Sequence, residues 1–470
     1  MRSSRFVLLF VLLFAVVSAA AQQSSPPIVQ APHKPINPKD PPSRVRHLPG
    51  TPRSMIGGFW MIDANSKASI YLKNGLETSA ITVNPALFLS NGMRYDLAAV
   101  TLEPSATSVI SINDALAKQG VAPWGILSGY VEVAYSWAWD PLCVTVTSID
   151  AVHSVIFTSG FQPPVASNLP IHKMKFIEGL NTVEGVWWKP DANVTGFVAL
   201  SNASDHPANA KLKISDEKNV QIGQQSVQVS PHGTKIVQLD VLKSLPAGAT
   251  GGLQIQYTGS ANTMLINGAL EDLNSGFSAN LPFHFFASPD PTKQSQETYA
   301  ELGLMTGPAD PMMSFPAGTT FTPFSVLRNV ETLPVTVTPS LYWTEGAVAR
   351  SAQLPSFTLA SFSSLALDVP SLLAGAGLGS FYGNVNLILD ADGPPRSLLL
   401  ASGSVDAKKT YVFQVFPRGI QESAAKSISY WSTGNGDDTM VTVWNPADEA
   451  QDFLFTLSFT GGGSTDYLST

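Results

Sequence analysis

The chain has 470 residues, of which only 13% are charged, and it contains 36 glycines, 35 prolines and one cysteine. This length fits more than one domain, the frequent glycines and prolines exclude a coiled-coil or all-helical protein, and one cysteine excludes an intrachain disulfide. The formal net charge of -8 leaves no basic surface for nucleic acid, so no nucleic-acid partner is expected.

The N-terminus has the three parts of a secretory signal peptide. Arg2 and Arg5 are followed by an unbroken apolar run from Phe6 to Val17 and then by the small residues at 18–21. Because this run is shorter than the roughly 20 residues that span a bilayer, it predicts a removed signal peptide over residues 1–21 and no transmembrane span. The mature chain is therefore expected to be extracytoplasmic, either secreted or periplasmic.

Residues 22–53 are predicted to form a disordered, proline-rich tether. Nine of these 32 residues are proline, which disfavours both helix and sheet. The segment carries five lysines and arginines against Asp40 alone, whereas residues 54–470 carry 20 basic and 34 acidic residues. The basic tether could rest on an anionic envelope surface or act as a solvated spacer, and both interpretations stay open.

An aromatic residue and an asparagine recur four times at an interval of 14 positions. The pairs are Trp60 with Asn74, Trp188 with Asn202, Phe315 with Asn329, and Trp431 with Asn445. Downstream of them, apolar residues alternate with a period of two, as in half-buried strands. The sequence therefore predicts an all-β protein of tandem antiparallel β-sandwich repeats, with Trp60, Trp188 and Phe315 at equivalent core positions.

Proline-, glycine- and polar-rich stretches mark the predicted domain boundaries. The first three β-sandwich repeats are placed at residues 54–160, 181–287 and 313–416, and a fourth at residues 427–470. Only 25 residues follow Asn445, so the fourth repeat is expected to be incomplete. Each repeat is expected to have its own core and to unfold independently of the others.

The second repeat contains three short segments that carry a family resemblance. They are the strand from Phe197 to Asn202, the alternating strand from Ala210 to Ile214, and the turn from Val229 to Lys235. Over about 40 residues this pattern resembles the core strands of the sensory rhodopsin transducer family of small β-sandwich proteins. The resemblance implies a sandwich fold. That family consists of cytoplasmic signalling partners, from which this chain departs in its export signal and its repeats, so the function is not carried over.

Catalytic and metal-binding motifs are not found in the sequence. It has no His-Glu-x-x-His, Gly-x-Ser-x-Gly or phosphate-loop motif, and its seven histidines are scattered. Two residue pairs, Asp63 with Asn65 and Asp191 with Asn193, are interpreted as turn residues rather than calcium ligands. No enzyme activity, cofactor or metal is therefore expected.

Tyr135, Trp137 and Trp139 are the candidate ligand-binding residues. They alternate along one strand, which continues past the place where the second repeat has already turned at Gly259. Such a ladder could stack on sugar rings or fill a pocket of a partner, or instead cap the end of the sandwich or pack on the next domain.

The favoured function is that of a non-catalytic exported protein acting in surface binding, adhesion or assembly, with a glycan or an envelope or surface protein as partner. A periplasmic sensory or scaffold module, and a carbohydrate-active enzyme whose carboxylates come from separate strands, remain alternatives.

Overall fold

The computed structural model describes residues 52–121, 125–137, 141–162, 180–285, 295–310, 315–346, 348–393, 396–409, 412–415 and 418–419, together with 441, 443, 445, 452–459 and 464–469. Within these residues antiparallel strands dominate and the two α-helices have seven residues each, which confirms the all-β fold. None of the described helices is long and apolar enough to cross a membrane. The predicted signal peptide and residues 22–51 of the tether lie outside the described part of the chain.

The first sandwich extends from Pro52, two residues before its predicted start. Its elements are β1 (Pro52–Ile62), β2 (Ser66–Asn74), β3 (Ile81–Leu89), β4 (Arg94–Asp96), β5 (Val100–Leu102), β6 (Thr107–Ser111), α1 (Ile112–Lys118), β7 (Leu127–Ser136), β8 (Leu142–Asp150), β9 (Val155–Ser159) and β10 (Phe161–Gln162). One sheet has the order β10-β1-β7-β3-β4, with β5 beside β3, and the other has the order β6-β2-β8-β9. Strand β2 alternates as a half-buried strand should, since Ala68, Ile70 and Leu72 are buried and the residues between them are not.

The second sandwich repeats this arrangement. Its strands are β11 (Leu180–Trp188), β12 (Thr195–Asn202), β13 (Ala208–Asp216), β14 (Gln221–Val229), β15 (Thr234–Gln238), β16 (Thr250–Thr258), β17 (Met264–Asp272), β18 (Phe277–Asn280) and β19 (Phe283–Phe285). They form sheets with the orders β14-β13-β16-β11-β19 and β15-β12-β17-β18. Unlike β2, strand β12 is buried along both faces.

The third sandwich begins at Ser295, upstream of its predicted start at residue 313 and within the stretch between the second and third predicted repeats. Its elements are β20 (Ser295–Pro308), β21 (Thr320–Asn329), β22 (Val335–Glu345), β23 (Val348–Gln353), β24 (Phe357–Leu359), β25 (Ser364–Leu367), α2 (Val369–Gly375), β26 (Gly383–Gly393), β27 (Leu398–Asp406), β28 (Val412–Val415) and β29 (Arg418–Gly419). Strand β20 pairs with β26 along most of its length, with a register shift between Glu301 and Leu304. That irregularity and its two glycines hide the strand from a search for period-two alternation.

The same strand order occurs in all three sandwiches, although in the third the two halves are joined into one ten-stranded sheet because β20 also pairs with β21. The first strand of each (β1, β11 or β20) pairs with β7, β16 or β26, which in turn pairs with β3, β13 or β22. We call this the front sheet. The second strand of each (β2, β12 or β21) lies between β6, β15 or β25 and β8, β17 or β27 in what we call the back sheet. Of the predicted fourth repeat, the described secondary structure is one hairpin, β30 (Phe453–Ser458) with β31 (Ser464–Ser469).

The aromatic positions predicted to be equivalent are not. Trp60 lies opposite Gly129 and donates its indole N–H to the Tyr130 carbonyl at 3.2 Å. In the second sandwich it is Trp187, not Trp188, that lies opposite a strand glycine, Gly251, and its indole N–H donates to a carbonyl at 3.0 Å. The interval of 14 residues aligns the wrong tryptophan because the loops between the first and second strands differ in length. This loop is residues 63–65 in the first sandwich and 189–194 in the second.

Phe315 does not belong to the first strand of its sandwich either. It lies between β20 and β21, where its ring packs edge-on against Phe321 with centroids 5.1 Å apart. The prediction was wrong because the third sandwich starts upstream of the counted interval.

The asparagines of the interval do occupy equivalent positions. Asn74, Asn202 and Asn329 each end the second strand of a sandwich and are fully buried. Each Nδ2 donates to three backbone carbonyls, and each Oδ1 accepts from the backbone N–H two residues further on. One side chain thus satisfies several buried backbone groups where two loops meet, which explains why asparagine recurs there.

We expect Asn202→Ala to destabilise the second sandwich by about 2–4 kcal/mol, because three buried carbonyls and one N–H lose their partner. The matched control is Asn193→Ala, an exposed residue of the same sandwich, which should change the free energy of unfolding by less than about 0.5 kcal/mol. Denaturant unfolding of both variants measures the difference. Equal effects would contradict the role assigned to the buried amide.

Candidate functional site

The three predicted ligand-binding residues do not form an exposed ladder in the described structure. Tyr135 is 3% exposed and belongs to the core of the first sandwich. Trp137 is partly buried and packs against the same core, and its carbonyl accepts from Arg53 Nε at 2.9 Å. Trp139 lies outside the described residues. A binding role for this strand end therefore stays a prediction that depends on Trp139.

A polar and aromatic cluster joins the first sandwich to the second. The Phe88 ring stacks on Tyr130 at 4.7 Å and on His232 at 5.3 Å between centroids. His232 Nε2 lies 2.7 Å from Asp205 Oδ1, and Tyr130 Oη lies 3.4 Å from His232 Nδ1. Because a carboxylate can only accept, Nε2 carries a proton and Nδ1 of a neutral ring can accept from the phenol.

The order of aspartate, histidine and tyrosine in this cluster resembles a proton relay, but the tyrosine is not suited to release its proton. Burial raises the pKa of the Tyr130 phenol, so the hydroxyl remains protonated and acts as a hydrogen-bond donor. Tyr130 is itself 1% exposed, which leaves no room for a substrate at its oxygen. The cluster therefore holds the two sandwiches together.

Apolar side chains complete this first junction. One group contains Ile56, Ala86, Phe88 and Tyr130 of the first sandwich with Ala203 and Leu265 of the second. A second contains Phe59 and Phe157 with Phe197, whose ring lies 5.8 and 5.1 Å from theirs. The front sheet of the first sandwich, together with strand β9 at the edge of its back sheet, thus covers the back sheet of the second.

A buried ion pair joins the second sandwich to the third. Arg328 Nη2 donates to Glu184 Oε2 at 3.1 Å, and the two side chains are 2% and 1% exposed. Arg328 Nη1 also donates to the Phe362 carbonyl at 2.7 Å, and Gln254 Nε2 donates to the other oxygen of Glu184 at 2.8 Å. Burial raises the pKa of Glu184, and the Arg328 guanidinium and the Gln254 amide offset this only in part.

Glycine at position 252 makes room for the guanidinium. A Cβ there would lie 2.0 Å from the Arg328 guanidinium carbon, which is closer than any real contact. Around the ion pair, Trp188 stacks on Phe324 with ring centroids 5.5 Å apart. Val326, Leu399 and Ala401 of the third sandwich belong to the core cluster of the second. The first and third sandwiches each have a core cluster of their own, as expected, but the second shares its core with the third, and independent unfolding stays a prediction.

Polar contacts at the edge of this second junction involve one of the predicted turn residues. Asp191 Oδ1 accepts from the backbone N–H of Asn193 at 3.3 Å, as in an Asx turn, and its other oxygen pairs with the Lys409 ammonium of the third sandwich. Asp63 similarly accepts from the N–H groups of Asn65 and Ser66. Both aspartates therefore stabilise turns by accepting hydrogen bonds from nearby backbone N–H groups.

Beyond the part covered by the third sandwich, the described residues leave the outer face of the second front sheet open. A cleft of about 460 Å³ crosses strands β11, β16, β13 and β14 there. Its polar lining consists of Asn209, Lys211, Ser226, Gln228, Gln256 and Thr258. Gln254 and Gln256 alternate along β16 as polar positions of a strand, but the joint placement of the lining residues depends on the register between strands.

One carboxyl is sealed inside the third sandwich. Glu301 is fully buried, and its Oε1 accepts from the Ser325 hydroxyl at 2.8 Å. Burial raises the pKa of Glu301 to about 8, and the hydrogen bond from Ser325 opposes this only in part. The group is neutral at pH 7 and has no access to a substrate.

Other potentially reactive groups are similarly confined. Burial raises the pKa of the Cys143 thiol, so it is a poor nucleophile at neutral pH. Within the described residues, no three His, Cys, Asp or Glu side chains come together as metal ligands.

Comparisons with known proteins find no matching family model, no matching curated protein and no matching solved structure.

We expect Arg328→Met to destabilise the protein by about 3–5 kcal/mol, because it leaves the Glu184 carboxylate buried without its cation. Adding Glu184→Gln should recover much of this loss. The control is Arg350→Met, which breaks an exposed pair with Glu345 and should cost less than about 1 kcal/mol. Denaturant unfolding of the wild type, Arg328→Met, Glu184→Gln, the double variant and Arg350→Met tests this, and a double variant destabilised by the sum of the two single variants would contradict it.

The raised pKa of Glu301 predicts a pH dependence. Between the ordinary value of 4.5 and about 8, the folded chain holds one more proton than the unfolded chain. Stability therefore falls as pH rises through this window, by about 1.4 kcal/mol per pH unit from this group.

Glu301→Gln should flatten that slope, whereas Glu345→Gln, at an exposed position of the same sandwich, should keep it. Thermal or denaturant unfolding at a series of pH values is the measurement. An unchanged slope in Glu301→Gln would show that the carboxyl ionises normally.

Proposed function

We propose that this chain is a non-catalytic exported protein in which sandwiches stacked in a fixed arrangement present binding surfaces for adhesion, glycan contact or assembly. The observation that carries the proposal is that both junctions bury the front sheet of one sandwich against the back sheet of the next. Export is supported by the predicted signal peptide.

The junctions differ from ordinary contacts between domains. Domains joined by linkers normally move relative to one another, because their interfaces are small and polar. Here the second junction contains a desolvated ion pair and shares a hydrophobic core, so separating the sandwiches would expose apolar surface and leave charges unpaired. Surfaces on different sandwiches are thereby held at set distances, which suits multivalent binding to an extended partner.

The enzyme alternative receives less support from the carboxylates at the sites described above. Glu184 is neutralised by Arg328, and Glu301 is enclosed in a core. A glycosidase needs two carboxyl groups that flank a substrate in an accessible cleft. The lining of the open cleft in the second sandwich contains amides, hydroxyls and one lysine instead.

The test uses the full exported chain and envelope material from cells that produce it. We expect the wild type and the Arg350→Met control to be retained on this material, and Arg328→Met to be retained about tenfold less because its junction is loosened. The soluble products are analysed for released sugars and peptides over time, and none is expected. Product that accumulates in proportion to protein would overturn the non-catalytic proposal, and equal retention of Arg328→Met would show that a fixed arrangement is not needed.

A further inference from the structure

We propose that the open cleft on the front sheet of the second sandwich binds an acidic polysaccharide, that is, a glycan whose sugars carry carboxylates. This inference rests on the proposed binding function and names a site and a ligand class for it. It is carried by the register of the side chains that line the cleft and by their charge.

Strand pairing places the polar side chains in rows that cross the sheet. In one row Lys211 lies opposite both Ser226 of β14 and Gln256 of β16, and Thr182 of β11 lies opposite Gln256. In the next row Asn209 lies opposite Gln228, and its backbone N–H donates to the Thr258 hydroxyl at 3.0 Å. Adjacent strands are about 4.8 Å apart, so each row offers hydrogen-bonding groups at short and regular intervals.

The third sandwich leaves these rows uncovered. Glu184 and Gly252, which contact Arg328, lie further along the same strands β11 and β16. Thr258, Asn209, Ser226 and Gln228 are exposed, and Lys211 and Gln256 are half-buried. The sheet face is therefore divided into a part that fixes the third sandwich and a part that is accessible to a ligand.

The charge of the cleft favours an anion. Lys211 is the one charged residue among those lining it, and Lys213 follows on the same face, where its ammonium lies 3.4 Å from Gln254 Oε1. Residues 54–470 carry 34 acidic and 20 basic side chains, so a positive face is a local departure from the rest of the chain. Lys211 can pair with one carboxylate of a polymer, while the neutral groups beside it can bind the uncharged parts of the adjacent sugars.

The neutral groups favour a sugar over other anions. Amides and hydroxyls both donate and accept hydrogen bonds, as sugar hydroxyls do. Nucleic acid is disfavoured, because binding it depends on many phosphate contacts from lysine and arginine. A protein partner usually binds through a central cluster of aromatic and aliphatic side chains. Six of the nine residues that line the cleft are polar, and the apolar ones are Leu180, Ala210 and Val227. Because no aromatic ring lines the cleft, affinity comes from hydrogen bonds and charge and should fall as salt is added.

The experiment measures binding of the full chain to immobilised polygalacturonate and to its methyl-esterified form, which has the same backbone without the charges. We expect binding to polygalacturonate, about tenfold weaker binding to the ester, and loss of binding at high salt. Lys211→Glu should abolish binding, and Gln256→Ala should weaken it. The matched control is Lys218→Glu, the same charge change in the exposed turn at the far end of strands β13 and β14.

Unfolding curves establish that each variant is folded, and Gln256→Ala tests the cleft without reversing a charge. Equal binding to the ester, or equal loss in Lys218→Glu and Lys211→Glu, would overturn the proposal. If the wild type is retained on envelope material but not on polygalacturonate, the proposed function stands and the assignment of this cleft is wrong. If it binds polygalacturonate through Lys211 but is not retained on envelope material, the cleft stands and the wider function fails.

Discussion

The structure depends on strands that are buried on both faces. In the second and third sandwiches, strands β12 and β21 face their own core on one side and the preceding sandwich on the other. A sheet of this kind cannot be exposed to water on either side without a large loss of apolar burial. Neighbouring sandwiches are consequently packed against each other, and the stability of each includes the contact with its neighbour.

Within that constraint, the Glu184 and Arg328 pair selects one arrangement among those that would bury similar apolar area. A buried ion pair adds little net stability, but it makes any displacement that separates the charges costly. The glycine at position 252 restricts the arrangement further, since only a residue without a side chain leaves space for the guanidinium. Burial supplies the free energy of the junction, and the ion pair supplies its specificity.

The sequence predicted what depends on local pattern and missed what depends on register. Alternation and turn residues indicated an all-β fold, and the recurring asparagine was recognised because its bonds require a nearly constant spacing between loops. Strand β20 was missed because a bulge and a buried glutamate break its alternation. Trp188 was matched with Trp60, although Trp187 holds the equivalent position. Counting residues cannot distinguish a side chain that faces its own core from one that faces the next sandwich, as Trp188 does. An apolar run such as that from Phe197 to Leu200 is typical of a strand buried on both faces, yet nothing in one sequence identifies what covers the second face.

The alternation of strand β2 has a consequence for self-association. Counting back from the buried asparagine, Ser69, Tyr71 and Lys73 occupy the places that Phe197, Ala199 and Ser201 occupy in the second sandwich. The outer face of the first back sheet thus has Ser69 and Tyr71 where the second has Phe197 and Ala199, and it is more polar, as in the terminal units that cap solenoid proteins. A stack built from one repeated head-to-tail contact would otherwise be free to continue from one molecule to the next as a fibre. Ser69, Tyr71 and Lys73 make this face a poor match for such an apolar contact, which disfavours growth of a fibre through it.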